Sequence, residues 1–466
     1  MKRDVASNPL TERYASKEMS YLFSSDFKFR TWRRLWIALA EAEKELGLPI
    51  SDEQIAALKA FAEDINYADA EQREREIRHD VMSHIYAYGL QAKSAKGIIH
   101  LGATSAFVTD NTDIIQMSEG LAIVRRRIVN LIAKLRDFAW RWRATPQLAF
   151  THFQPAQLTT VGKRATLWLH DLLLDYRELE FRQSQLALLG VKGATGTQAS
   201  FLNLFDGDEA KVHRLEQLVA EKVGIRSVYP VSGQTYSRKV DAQVAASLAG
   251  FAESASKFAY DMRLLAHMRE IEEPYEEEQV GSSAMAYKRN PMRAERIDAL
   301  SRHVIVNSLN PALTAATQWF ERTLDDSANR RIAIPEAFLG ADAIALIYDN
   351  IMGGIVVHED VIAANVRREL PFLMTENLMM EGVRRGGDRQ VLHERVRIHT
   401  QAKPDDVFER IANDPLFGID RATIEAMARP DDYTGLARQQ TERFLEEVDA
   451  VLAGQVTESV TEELRV

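Results

Sequence analysis

The sequence predicts an all-α protein of three helical domains, the central one a bundle of long helices. Three observations predict it. Apolar residues recur at steps of three and four over stretches approaching thirty residues, the period of one helix face. The β-branched alternation that marks strands is sparse, with a short exception around Ser227 to Ser232. At 466 residues and 46% hydrophobic content, the chain is long enough for several domains and apolar enough for a substantial core.

The first region, residues 1–111, has the shorter helices. Trp32, Leu35, Trp36, Leu39, Ala42 and Leu46 form a stripe over residues 30–46 that stops at Gly47 and Pro49. The charged run from Asp69 to Arg78 reads as a solvated helix face. The second region, 112–364, carries the long elements. Ile115, Leu121, Val124, Ile128, Leu131, Leu135, Phe138 and Trp142 make one stripe from Thr112 to Trp142, and 156–189, 236–268, 292–320 and 334–357 repeat the pattern. Ala245, Ala249, Ala252, Ala255 and Ala259 put small side chains on one such stripe, which lets helices approach closely. Helices of this length carry more apolar perimeter than one chain covers, so an oligomer is expected. Gly196 to Gly207 and Gly224 to Gly233 read as connections. In the third region, 365–466, Leu370-Pro371 interrupts a helix, Gly386-Gly387 makes a turn, and short helices lead to an acidic tail.

Composition removes whole classes of function. A formal net charge of -10 argues against general nucleic-acid binding but leaves room for a local cationic pocket. The chain has no cysteine, which excludes disulfides, thiolate nucleophiles and cysteine-ligated metals and fits a reducing compartment. Met1-Lys2-Arg3-Asp4 starts no signal peptide, and no apolar run approaches a membrane span, so a cytoplasmic protein is expected, with neither membrane nor nucleic acid as partner.

Candidate chemistry sits in a few segments. The segment 280–291 contains Gly281 for backbone freedom, Ser282 and Ser283 for hydroxyls, and Lys288 and Arg289 for fixed positive charge, followed by Asn290 and Pro291. A loop like this between long helices can close over a ligand, although an ordinary exposed loop has similar composition. His152 lies between two long patterns, in Thr151-His152-Phe153-Gln154-Pro155, with Pro155 read as the first residue of the next helix. An imidazole at a helix mouth can move protons near neutral pH; a satisfied surface histidine has the same signature. His79 precedes Asp80, but neighbours in a helix do not face each other, so no pairing is implied.

Gly97 to Asp113 is a polar cluster ahead of a long helix, with His100, Thr104, Ser105, Asn111, Thr112 and Asp113 available for capping or anion contacts. Gln234 precedes another long helix as a binding amide or a cap neighbour. Arg322, Ser327, Arg330 and Arg331 surround Leu324-Asp325-Asp326, a set that suits a phosphate or carboxylate ligand and equally a salt-bridge lattice. There is no P-loop, dinucleotide fingerprint, His-Glu-x-x-His helix or Gly-x-Ser-x-Gly elbow, and the histidines are not at metal-ligand spacing. No metal or cofactor is expected. Cofactor-free acid–base chemistry on a polyanion survives this elimination.

The 281–291 segment closely resembles the signature loop of the fumarase/aspartase superfamily. With Thr104-Ser105, Thr151 to Gln157, Lys192 to Gln198, Gly233 to Arg238 and Trp319 to Arg331, the chain resembles the animal-type adenylosuccinate lyase family within it. That resemblance implies a homotetramer with active sites shared between subunits and small nucleotide substrates. It implies elimination of fumarate from adenylosuccinate, giving AMP, and from the succinyl-aminoimidazole carboxamide ribotide (SAICAR), giving AICAR. By the same resemblance Ser282 is the general base and His152 the general acid. Lys288 stabilises the developing negative charge, Asn290 holds a substrate carboxylate, and Glu295 orients the histidine. His79 holds substrate or relays a proton. Arg13, Tyr14, Arg78, Asp80, Thr104, Ser105, Thr151, Gln234, Arg296, Arg322, Ser327 and Arg331 match substrate-binding positions, with Arg13, Tyr14, Ser327 and Arg331 at the phosphate end.

The chain departs from the family loop at Ala286, where proline is usual; an alanine there leaves an open loop freer by about 1 kcal/mol. A sister lyase acting on argininosuccinate or aspartate shares the loop but has no use for a nucleotide site. A non-catalytic scaffold of the same fold is expected to lack Ser282, His152 or Lys288, and all three are present.

Overall fold

The computed structural model describes residues 4, 6–225, 227–276, 279, 283–285, 287–401 and 406–457. Helix α1 (Ser25–Glu45) begins where Ser24, in extended conformation, accepts a hydrogen bond from the Phe27 amide at 3.2 Å, and it stops at Leu46. The charged run forms α2 (Tyr67–Ile77), largely exposed as expected. Arg78 then turns the chain at φ 57 into α3 (Asp80–Gln91), and a connection leads to α4 (Ser105–Arg141). Two strands follow, β1 (Pro146–Thr151) and β2 (Gln154–Thr160), and then the long helices α5 (Val161–Ser184), α6 (Lys239–His267), α7 (Met292–Asn307) and α8 (Asp326–Gly354). Near the C-terminus α9 (Ala437–Leu452) returns to lie on α4 and α5.

Helices α4 to α8 make the central bundle. α6 packs against α5, α7 and α8, while α4 packs against α5 and α8. The predicted stripes face inward: all eight apolar residues of the α4 stripe are buried, as are the five alanines of α6. Tyr348 stacks on Phe258 with ring centroids 3.9 Å apart, and Trp168 meets the same Phe258 edge-on at 5.2 Å. Each such ring stabilises the bundle by about 1.5–3 kcal/mol through area removed from water. Gly162 opens α5 where it passes the end of α4; a Cβ there would lie 2.3 Å from the Ala139 carbonyl oxygen. Arg136 ties α4 to α9 through both oxygens of Asp449, at 2.7 and 2.9 Å.

Five local expectations need correction. Residues 146–160 are a β-hairpin, so Pro155 is a strand residue paired with Phe150 and not the start of a helix. A two-stranded sheet has only edge strands, where proline costs little. α4 starts at Ser105, so Asn111, Thr112 and Asp113 lie within the helix rather than ahead of it. Their polar groups are met by other elements; Asn111, for example, donates to the Phe107 and Gly190 carbonyls and accepts from the Gly190 amide. The 292–320 pattern breaks at Ser308 into α7 and a short helix Leu309–Thr317. Pro371 does not interrupt its helix, which runs Glu359–Leu373; in the last turn the missing N–H costs a single bond, and Met374 still donates to Leu370 at 3.0 Å. The strand possibility near Ser227 reduces to one parallel bridge, Leu188 with Val228. Among the described residues, no helix is long and apolar enough to cross a membrane.

Candidate active site

A cavity of about 800 Å³ opens where the N-termini of α1, α3, α4 and α8 meet. Ser24, Ser25 and Lys28 come from α1, His79 and Asp80 from α3, Thr104 and Ser105 from α4, and Ser327, Arg330 and Arg331 from α8. Arg78, Gln234 and Arg322 enter from the connections. A helix N-terminus carries partial positive charge and amides without helical partners. Thr104 and Asp325, at the caps of α4 and α8, make no side-chain capping bond. Four helix ends converge on the cavity, and the two without a side-chain cap, those of α4 and α8, leave amides that suit an anion.

Below the cavity lies a buried polar network. Arg238 donates to both oxygens of Asp110 at 3.0 and 3.2 Å and through Nε to Asp326 at 2.6 Å. Arg330 donates to Asp241 at 2.6 Å, to Asp113 at 2.8 Å and to the Tyr236 hydroxyl, which itself donates to Asp241 at 2.6 Å. Burial acts to raise the Asp326 carboxyl, but Arg238 and Arg322 outweigh it and hold Asp326 below the usual carboxylate range. This network joins α4, α6 and the first turn of α8, so it fixes the entry of α8 and with it Ser327 and Arg331. From the sequence, the 322–331 knot suits a ligand and a lattice alike. All three of its arginines line the cavity, but Arg330 is held by Asp113 and Asp241 of the lattice, whereas Arg322 and Arg331 each meet a single carboxylate, Asp326 and Asp80.

His79 is the N-cap of α3 rather than a helical residue. Its Nδ1 accepts from the Met82 amide at 3.4 Å, and its Nε2 lies 3.4 Å from the Ser105 hydroxyl. Because it stands outside the helix, its ring also comes within 3.8 Å of the Asp80 carboxylate, a proximity that two helical neighbours would not have. An Nδ1 that accepts an amide proton keeps the ring proton on Nε2, next to Ser105. His100 has a packing role. It accepts from the Trp36 indole at 2.9 Å, and burial, helped by nearby His79, pushes its pKa down to about 4.

The cavity thus unites Arg78, His79, Asp80, Thr104, Ser105, Gln234, Arg322, Ser327 and Arg331. Other expected residues stand apart from it. Arg13 and Tyr14 end a short helix, Leu10–Tyr14, that packs on α8. Thr151 and His152 are exposed at the end of the hairpin. Glu295 and Arg296 occupy the first turn of α7, whose opening amides, from Arg293 and Ala294, are both capped by Glu273 at 3.0 Å. Lys288 is exposed and Asn290 half-buried just ahead of that helix. Ser282, with Gly281 and Ala286, lies outside the described residues. Sequence reasoning missed Lys28 and the Ser24-Ser25 pair. The signal was there, two serines ahead of an apolar stripe, the signature of a helix N-terminus.

Known proteins resemble this chain over most of its length. The family model described as "Lyase" matches residues 14–306, and that described as "Adenylosuccinate lyase C-terminus" matches 371–444. The adenylosuccinate lyase of Schizosaccharomyces pombe is 49% identical over 454 residues, covering 94% of each chain. That of Schistosoma mansoni is 42% identical over 457 residues, 96% of this chain and 95% of its own. A fumarate lyase from Mesorhizobium sp. BNC1 superposes with a TM-score of 0.80 at 24% identity, over 95% of this chain and 99% of its own, which bears on the fold alone. With a family model spanning more than half its length and relatives this similar end to end, the chain belongs to the adenylosuccinate lyase family.

Proposed function

We propose that the protein eliminates fumarate from adenylosuccinate, giving AMP, and from SAICAR, giving AICAR, in purine nucleotide synthesis in the cytoplasm. The observation that carries this reading is the cavity itself. Residues from 78–80, 104–105, 234 and 322–331, far apart in sequence, share one space lined by four helix N-termini, in a chain of this family. A nucleotide phosphate gains from that positive end field, and the neighbouring amide and hydroxyls suit a base and ribose.

In the proposed chemistry Ser282 removes a proton from the succinyl carbon β to the nitrogen. The electron pair forms the carbon–carbon double bond of fumarate as the carbon–nitrogen bond breaks, and His152 protonates the leaving nitrogen. The intermediate is an aci-carboxylate with two negative charges on one carboxyl group. Lys288 and the loop amides favour it over the ground state, and Asn290 holds the substrate's carboxylate. A serine hydroxyl needs nearby cations and exclusion of water to act as a base, which closure of the 280–291 loop supplies. Glu295 orients His152.

His152 does not line its own chain's cavity, and this supports a homotetramer in which one subunit's hairpin enters another's site. The turn that carries it is strained: His152 and Phe153 have φ of 53° and 57°, a region where asparagine and glycine are at ease. Residues 1–111, 112–364 and 365–466 are proposed as the three domains, with α4 carrying the chain from the first into the second. Fumarate release followed in the ultraviolet with adenylosuccinate, SAICAR and argininosuccinate tests the function. Release from the first two alone is expected; release from none by folded protein contradicts the reading.

A further inference from the structure

The cations that line the cavity differ in how fully they are already neutralised. Arg238 and Arg330 are saturated by Asp110, Asp326, Asp241 and Asp113. Arg322 is held by Asp326, and Arg331 lies 3.2 Å from Asp80. Among the described residues, Lys28 and Arg78 are the lining cations with no carboxylate at ion-pair distance. Arg78 matches a substrate-binding position by resemblance; Lys28 matches none.

Lys28 sits one turn into α1, half-buried, above aromatic rings. Its ammonium lies 5.4 Å from the ring centre of Phe29 and 4.9 Å from that of Trp32. Aromatic faces position an ammonium without cancelling its charge. Burial draws its pKa below the usual lysine value and the like charge of Arg331 adds to the lowering, while Asp113, Asp80 and Glu74 counteract it. A bound dianion relieves both the desolvation and the repulsion.

We propose that Lys28 is a further binding residue of this cavity, which together with Arg331 takes the phosphate monoester of the nucleotide. The assignment rests on the lyase reading for the identity of the ligand. A phosphate is preferred to the succinyl carboxylates because Ser327 and Arg331, which the resemblance puts at the phosphate end, line this same cavity. Lys28 shares the wall with both.

The experiment compares the assembled wild-type protein with Lys28→Met and Lys28→Arg. A charge-assisted phosphate contact predicts that Lys28→Met weakens AMP binding by about tenfold or more, while Lys28→Arg stays within about threefold of wild type. In turnover, KM for adenylosuccinate and for SAICAR rises together, because both carry the phosphate, and kcat is retained. Inorganic phosphate displaces AMP from wild type and does so less effectively from Lys28→Met, which separates phosphate recognition from base recognition. Unchanged AMP affinity in Lys28→Met overturns the proposal, as does a fall in kcat at constant KM. If the wild type releases no fumarate, the lyase reading fails on its own, and AMP binding then judges Lys28 separately.

Discussion

Arg322 and Asp326 meet at the cavity wall, one guanidinium nitrogen lying 2.9 and 3.0 Å from the two carboxylate oxygens. On its other side the same carboxylate accepts from Arg238, and Asp326 is completely buried. One carboxylate therefore couples a cavity residue to the network beneath. Asp326→Asn leaves two cations short of charge in a buried setting and is expected to cost about 3–5 kcal/mol, measured by urea unfolding. The folded pKa lies below the usual value, so this stabilisation is present above the unfolded pKa and is lost as pH falls through the folded one. The wild type accordingly shows an acid limb below about pH 4 to which the Asn variant contributes nothing at this position.

Glu43 poses the opposite case. It is wholly buried in α1, neither of its carboxylate oxygens has a hydrogen-bond partner among the described residues, and burial pushes its pKa up to about 9. At neutral pH the group is therefore protonated in the folded chain and ionised in the unfolded one. Its contribution is complete below the unfolded pKa and declines as pH rises toward the folded value. Glu43→Gln should flatten that decline: the wild type loses at least about 1 kcal/mol more than the variant from pH 5 to pH 8, read from unfolding curves across the range. Parallel curves for the two proteins exclude an ionisable Glu43.

His152 stands at an exposed hairpin tip, so its replacement should spare the fold. His152→Gln is expected to keep the wild-type Tm and to lower kcat by about 10²- to 10⁴-fold, the range for loss of a general acid. A drop in Tm that accounts for the lost activity contradicts the assigned role.

The alanine at 286 makes a finer prediction. Ala286→Pro restores the residue usual in the family loop and should raise kcat/KM severalfold, equivalent to about 1 kcal/mol, with little change in global stability. Rates and protease sensitivity of the loop, compared side by side, check it. Equality in both discards the idea.

The long helices were legible because little besides a buried helix face sustains a 3.6-residue period over some thirty positions, and α4, α5 and α6 follow it within several residues. The hairpin was not. Pro155 matches a helix start as well as an edge strand, and Leu148, Phe150 and Leu158 give too short an alternation to decide. Polar residues at 111–113 read as a loop because their partners, such as Gly190 and Arg330, lie far away in sequence. Glu43 was invisible for the same reason: nothing local distinguishes a carboxyl buried by tertiary packing from one that faces water. Within the site, Thr104, Ser105, Gln234, Arg322, Ser327 and Arg331 stood out as polar clusters and the resemblance gave them roles, whereas Lys28 needed the convergence of helix ends that only the fold provides.

In the proposed mechanism His152 reaches, from a second subunit, the substrate that Ser282 deprotonates. Mixing Ser282→Ala with His152→Gln, after reversible dissociation and reassembly, tests it most directly. Each variant alone should release almost no fumarate from adenylosuccinate, and the mixture should regain a substantial fraction of wild-type activity, because some sites then combine an intact serine with an intact histidine. A mixture as inactive as its parents, with mixed particles verified, would rule out a site completed by a second subunit's His152.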